Sequence, residues 1–189
     1  MPYPSQVSRE AVVAQAWQLI EADGAENLSL ARLANSLGIK APSLYRHVGN
    51  KSSLLQAVNL FTSQRLIASL RQRAAQVNGP PQEQLVALLH AYRSFAHQHP
   101  NTYLLAFTNT DDALRPDEDL LEQMVLPIQA LITAVSGQEN SLAALRGAMA
   151  LVHGFVMLEL HGQLRRGGDL AADFALAVHA YLQGWQSVQ

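Results

Sequence analysis

Cysteine is absent from the 189 residues, which excludes disulfide staples, zinc sites built on thiolates and thiol catalysis. Lysine is nearly absent: Lys40 and Lys51 are the whole supply. The stretch after Met1 is short and polar, with no apolar run long enough for a signal peptide or a membrane span, so a soluble cytoplasmic protein with no membrane partner is expected. Strand-like alternation is nowhere sustained between turn signals. The chain has no Gly-rich phosphate loop, no His-Glu-x-x-His metal motif and no nucleophile elbow, so nothing calls for a cofactor, a metal ion or an enzymatic activity. His97 and His99 are two apart and would point to different faces of a helix.

Helical periodicity, by contrast, recurs from Ser8 to Trp185, and the class read from it is all-α. Ser8 can cap a first helix striped by Val13, Ala16, Trp17 and Ile20 and ended by Asp23-Gly24. Ser29 caps a short second helix ending at Gly38, and Pro42 suits the first turn of a third. Asn50 caps a fourth that runs to about Val77 and stops at Asn78-Gly79-Pro80-Pro81, the strongest linker signal present. Leu85, Leu88, Leu89, Tyr92, Phe95 and Ala96 stripe a fifth helix, and Pro100 opens a sixth through Phe107. Asp117, Glu118 and Asp119 suit the N-terminus of a seventh, which Pro127 is expected to kink or split. An eighth is expected from Ser141 to Arg166, with Gly167-Gly168 as its stop and Asp169 capping a ninth. A small head at 1–50 and a larger helical body at 51–189 is the division that results.

The eighth helix is apolar on two sides. Leu142, Leu145, Met149, Val152, Val156 and Leu160 make one stripe, and Ala144, Ala148, Leu151, Phe155 and Leu158 another. A helix apolar nearly all round must be buried twice, so one side is expected to face the core and the other a partner subunit. The predicted homodimer interface joins Ala144, Ala148, Leu151, Phe155 and Leu158 to Phe174, Val178, Tyr181 and Trp185 of the ninth helix. A central helix buried within one subunit is the alternative.

Charge is unevenly placed in a chain of formal net charge −2. Between residues 29 and 51 stand Arg32, Lys40, Arg46 and Lys51 with no Asp or Glu, while residues 52–189 carry more acids than arginines. This asymmetry points to a polyanion contact at one end of the molecule. The same window meets the requirements of a helix-turn-helix: Ala34 as the small residue at the crossing, Gly38 in the turn, and Leu33, Leu37, Ile39 and Leu44 as the apolar lock.

Leu28-Ser29-Leu30 through Leu44-Tyr45-Arg46-His47-Val48-Gly49-Asn50-Lys51 resembles the DNA-binding head of the tetracycline-repressor (TetR) family, and the nine-helix layout matches that family's plan. His99-Pro100-Asn101-Thr102-Tyr103 and Val152-His153-Gly154-Phe155, with Leu158-Glu159-Leu160, are similar to its WHG-type ligand domains. The resemblance implies a dimeric regulator of transcription, typically a repressor, that binds double-stranded operator DNA and is released by a small, largely apolar effector. The third helix would then enter the major groove. Lys40, Ala41, Ser43 and Arg46 are candidates for base-edge contact; Tyr45, His47 and Lys51 for phosphate or sugar; Ser29 and Arg32 for the backbone. Tyr45 and His47 could instead be packing residues. For the effector the resemblance implies a pocket lined by Phe61, Tyr92, Phe95, Tyr103, Phe107, Met149, His153 and Met157, each of which could equally be core. The rival reading is a helix-turn-helix regulator with no effector, whose body only dimerises or binds a protein.

Overall fold

The computed structural model describes residues 7–186. Among the described residues all regular structure is helical: α1 (Arg9–Asp23), α2 (Leu30–Ser36), α3 (Ala41–Val48), α4 (Lys51–Ala75), α5 (Pro81–Gln98), α6 (Pro100–Thr108), α7 (Glu118–Ser136), α8 (Ser141–Leu160) and α9 (Leu170–Gln186), with a 3-10 turn at Asp112–Leu114. The all-α class and the count of nine helices agree with the sequence reading.

The caps lie where the sequence puts them. Ser8 Oγ accepts the Ala11 N–H at 3.2 Å, Ser29 Oγ that of Arg32 at 3.1 Å, Asn50 Oδ1 that of Ser53 at 2.8 Å, and Asp169 Oδ1 that of Ala171 at 2.9 Å. Each satisfies a first-turn donor that has no partner inside its helix.

Helices α2 and α4 end two residues early, at Ser36 and Ala75, one further boundary differs more, and Pro127 does not split its helix. Helix α8 ends at Leu160 rather than Arg166, because Gly162 takes φ +60°. The Gly162 N–H bonds to the Glu159 carbonyl at 2.9 Å and the Gln163 N–H to that of Leu158 at 2.8 Å, a left-handed closure that glycine adopts without steric cost. Helix α7 runs unbroken through Pro127. Pro127 and Gln123, whose carbonyl loses its helical donor, are both exposed, so water can take up that bond.

Two compact units divide the chain. The first takes in α1 to α3, α4 as far as Arg65, α6 and the segment up to Leu121; the second holds α4 from Leu66, α5, α7 from Glu122, α8 and α9.

In the first unit α1 packs on α2, α3 and α6. Val12, Ala16, Trp17 and Ile20 meet Leu33, Ala34, Leu44, Val48, Leu54 and Val58 in one core. The Glu21 carboxylate accepts the N–H of Thr102 at 3.1 Å and its hydroxyl at 2.6 Å, and the N–H of Asn101 at 3.3 Å. A carboxylate of α1 therefore caps α6, whose own N-cap residue His99 gives no side-chain cap. The His99 ring packs edge-on to Trp17 at 4.8 Å, and burial holds its pKa below the ordinary histidine value, against the pull of Glu21. Gln56 Nε2 donates to the Arg115 carbonyl at 2.8 Å and Asn59 Nδ2 to that of Leu114 at 2.9 Å, tying α4 to the segment before α7.

In the second unit α5 packs on α8 and α9, and α8 on α9. The predicted α5 stripe is buried throughout. Arg93 reaches Glu159 through two nitrogens, at 2.9 and 2.5 Å, and His97 Nε2 lies 2.9 Å from the same carboxylate. The Arg93 guanidinium also lies 5.4 Å from the centre of the Phe174 ring. At Gly147 a side chain of α9 presses on α8: a Cβ there would sit 3.0 Å from the Tyr181 hydroxyl oxygen, which donates to the Ala144 carbonyl. By length and composition alone, α8 is also the one helix among the described residues long and apolar enough to cross a membrane.

Candidate nucleic-acid interface

Helices α2 and α3 are short and meet through Leu33, Ala34, Leu44 and Val48, all buried. Between them Gly38 takes φ +65°, and the Ile39 N–H bonds back to the Ala34 carbonyl at 3.0 Å. Nothing lies within 4 Å of where a Cβ on Gly38 would stand, so the demand for glycine there comes from the backbone and not from crowding. Leu37 and Ile39 pack against the same core. The helix-turn-helix lock read from the sequence is therefore present.

With Leu44 and Val48 turned inward, α3 leaves its other face open. Lys40, Tyr45, Arg46 and Lys51 are exposed, and Ala41, Ser43 and His47 are half-buried. Tyr45 keeps 50% of its surface free, in a chain with few aromatic rings. Ser43 Oγ stands 3.4 Å from Arg46 Nη2, a weak contact that leaves the guanidinium free to move.

Arg32 differs from the other cations. It pairs with Asp23 at the end of α1, whose carbonyl accepts from Asn27 Nδ2 at 2.6 Å. Asp23 lies six residues before the acid-free segment 29–51, and the fold, not sequence distance, brings it to α2.

The predicted dimer residues are placed unevenly. Ala144, Ala148, Phe174 and Val178 are buried within the chain itself, which leaves them no surface for a partner. The inward line of α8 is Ala144, Ala148, Val152 and Val156, so it runs along the seam between the two predicted stripes and takes members from both. Leu151, Phe155, Tyr181 and Trp185 are half-buried, and Leu158 is exposed. At 100° per residue, the outward arc of α8 holds Leu142, Met149, Ala150, Gly154 and Leu158, with Arg146 its charged residue.

The predicted pocket residues fall in both units: Phe61, Tyr103 and Phe107 in the first, and Tyr92, Phe95, Met149, His153 and Met157 in the second. Met149 is 53% exposed on the outward side of α8 and lines none of the three cavities described next. Tyr103 is fully buried beside Phe107, ring centres 4.9 Å apart, and Tyr92 and Phe95 belong to the buried face of α5. His153 is half-buried, and burial lowers its pKa.

Three cavities are formed by other combinations. One of about 500 Å³ lies between α1 and α4 in the first unit and includes Phe61. In the second unit, a polar one of about 340 Å³ between α4 and α5 includes Phe95. The third, of about 410 Å³, lies among α4, α5 and α7, walled by Ala74, Leu88, Pro127, Ile128 and Leu131. No group of three or more His, Cys, Asp or Glu among the described residues is placed to hold a metal ion.

Residues 12–58 match the sequence profile of the bacterial regulatory proteins of the tetR family, and residues 85–181 that of the tetracyclin repressor-like C-terminal domain. An HTH-type transcriptional regulator of Mycobacterium tuberculosis is 33% identical over an alignment that takes in 84% of this chain and 73% of the relative. A solved structure from Rhodococcus sp. RHA1 superposes with a TM-score of 0.81 at 23% identity, covering 97% of this chain and 98% of that one. A TetR variant from Acinetobacter baumannii, in complex with minocycline, does so with a TM-score of 0.68 at 19% identity, covering 95% and 96%. At those identities the two structural likenesses speak for the fold.

Proposed function

This chain belongs to the TetR family of bacterial transcriptional regulators, and from that premise we propose that it is a dimeric, ligand-released repressor that reads its operator with α3. The observation that carries the reading is the open face of α3: Lys40, Tyr45 and Arg46, followed by Lys51, stand exposed in a segment with no carboxylate of its own. Lys51, the first residue of α4, brings both its ammonium and a helix N-terminus to a phosphate. Arg46 is the candidate for a base edge, where a guanidinium pairs best with guanine. Ala31 and Ala41 offer no polar reach, so base readout rests on few side chains.

A gel-shift series over a range of salt concentrations tests this. Lys51→Ala is expected to weaken binding similarly on all sequences and to lower the salt slope by about one, as for loss of one phosphate contact. Arg46→Ala should relax preference at one or two base pairs per half-site. If neither variant differs from the parent at any salt concentration, α3 is not the reading element.

The outward arc of α8, with Leu176 of α9 exposed in the same unit, supplies the apolar surface a dimer needs. For the effector, the α4–α5–α7 cavity has the apolar walls and few polar groups suited to a small molecule, and the minocycline complex of the A. baumannii protein supports a ligand-responsive body. Helix α4 supplies Ala74 to this cavity and Lys51 to the DNA face, with no proline or glycine in its 25 residues. A ligand favouring one position of α4 would alter the spacing of two recognition helices, which must suit grooves ~34 Å apart, and coupling of about 1–3 kcal/mol is usual. Filling the cavity with Ala134→Trp should weaken operator binding while the dimer persists. An intact dimer with unchanged affinity would favour the rival in which the body only dimerises.

A further inference from the structure

The cavity of about 500 Å³ between α1 and α4 lies wholly in the unit that carries the helix-turn-helix. Its floor is apolar: Val13 of α1, Leu60 and Phe61 of α4, and Pro116. Of these, Leu60, Phe61 and Pro116 are only half-buried, so the groove presents apolar surface that the chain does not cover. The wall at Pro116 is held in place by the two amide bonds from Gln56 and Asn59 to the carbonyls of Arg115 and Leu114. This is a formed groove, not a gap between loose segments.

Its ionisable lining is Glu10 and Asp117 against Arg9, which leaves one negative charge in excess. Asp117 Oδ1 accepts the Leu120 N–H at 2.9 Å, so its second oxygen is available to a ligand. Of the nearby cations, Arg115 pairs with Asp112 at 3.1 Å, and the Arg65 guanidinium, which is not in the lining, lies over the Trp17 ring, 4.6 Å from its centre, and 5.7 Å from that of Phe61.

We infer that this groove is a second small-molecule site, in the DNA-binding unit itself, for a cationic amphiphile: an aryl or alkyl body on the Leu60–Phe61–Pro116 floor and an ammonium at the Asp117 carboxylate. The body gains by leaving water, and the ammonium gains a charge-assisted hydrogen bond. An anion of the same shape meets the excess carboxylate and is disfavoured. The site shares no lining residue with the α4–α5–α7 cavity and does not depend on the effector reading.

Calorimetric titration of the full chain with three probes of one shape, phenylbutylamine, phenylbutanol and phenylbutyrate, tests the inference. The amine should bind about threefold or more tighter than the alcohol, and the acid most weakly. Asp117→Asn, which keeps the cap oxygen but removes the charge, should erase the gap between amine and alcohol. Ala57→Phe, which fills the groove from α4, should abolish binding of the amine, and Ala134→Trp in the other cavity should leave it unchanged. The inference is overturned if no probe binds, if the acid binds as well as the amine, if the amine preference survives Asp117→Asn, or if Ala134→Trp rather than Ala57→Phe removes binding.

Discussion

If Arg32 reaches the phosphate backbone as proposed, it does so already carrying a partner. Its exposed ion pair with Asp23 is worth little in stability, but it places a carboxylate next to a cation assigned to the phosphate backbone. Asp23→Asn should raise operator affinity about two- to fivefold, the range an exposed pair represents, and steepen the salt dependence. Weaker binding in the same gel-shift would mean that Asp23 instead holds Arg32 in the pose that DNA requires.

Glu159 is the opposite kind of residue, a carboxylate with 5% of its side chain exposed between Arg93 and His97. Burial alone would raise its pKa, but hydrogen bonds from Arg93 and His97 bring the net value below the ordinary 4.5. A depressed carboxylate stabilises the fold above its unfolded pKa, and that stability is lost as pH falls from about 4.5 through the folded value. Glu159→Gln should cost about 3 kcal/mol at neutral pH, since it leaves Arg93 without its counter-charge. In denaturant titrations the gap between variant and parent should close below pH 4.5. Burial also lowers the pKa of His90, His99 and His153 from 6.5. Between 6.5 and those folded values the unfolded chain holds protons that the folded chain does not, so parent stability should fall as pH drops below 6.5. His153→Gln should flatten part of that slope.

At the scale of elements, the turn at Gly38 makes the cleanest test. Gly38→Ala should cost about 1–2 kcal/mol for its left-handed backbone, and Gly38→Asn less, with DNA binding following stability in thermal melts and gel-shifts. That turn was legible because its chemistry is local, as were the four side-chain caps and the α5 stripe. What could not be read depends on partners distant in sequence. Spacing along α8 gives angles around a helix but not which angle points inward, so the line Ala144–Ala148–Val152–Val156 was divided between two stripes. The doublet Gly167-Gly168 reads as the end of α8, whereas Gly162 closes the helix by its backbone angle. Glu21 capping α6 joins residues 80 and 81 positions apart, beyond the reach of any local signal.

For the whole molecule, the proposed dimer rests on the outward arc of α8. Met149→Glu places a charge in the proposed interface yet removes nothing from the core, because Met149 is already exposed. Light scattering should show the parent as a dimer at micromolar concentration and the variant shifted toward monomer, with a helical circular dichroism spectrum unchanged. A parent that stays monomeric, with or without operator DNA, would remove the dimer from the account.

The close approach at Gly147 also limits how that surface can change. The Tyr181 ring occupies the space a side chain at 147 would take, and its hydroxyl is fastened to the Ala144 carbonyl one turn earlier. Tooth and notch are thus cut at one place on each helix, and sliding α9 along α8 would pull the hydroxyl off its carbonyl and the ring away from the position that has no side chain. The contact favours the pair being carried as one piece, like a key seated in its keyway, over α9 being drawn lengthwise past α8.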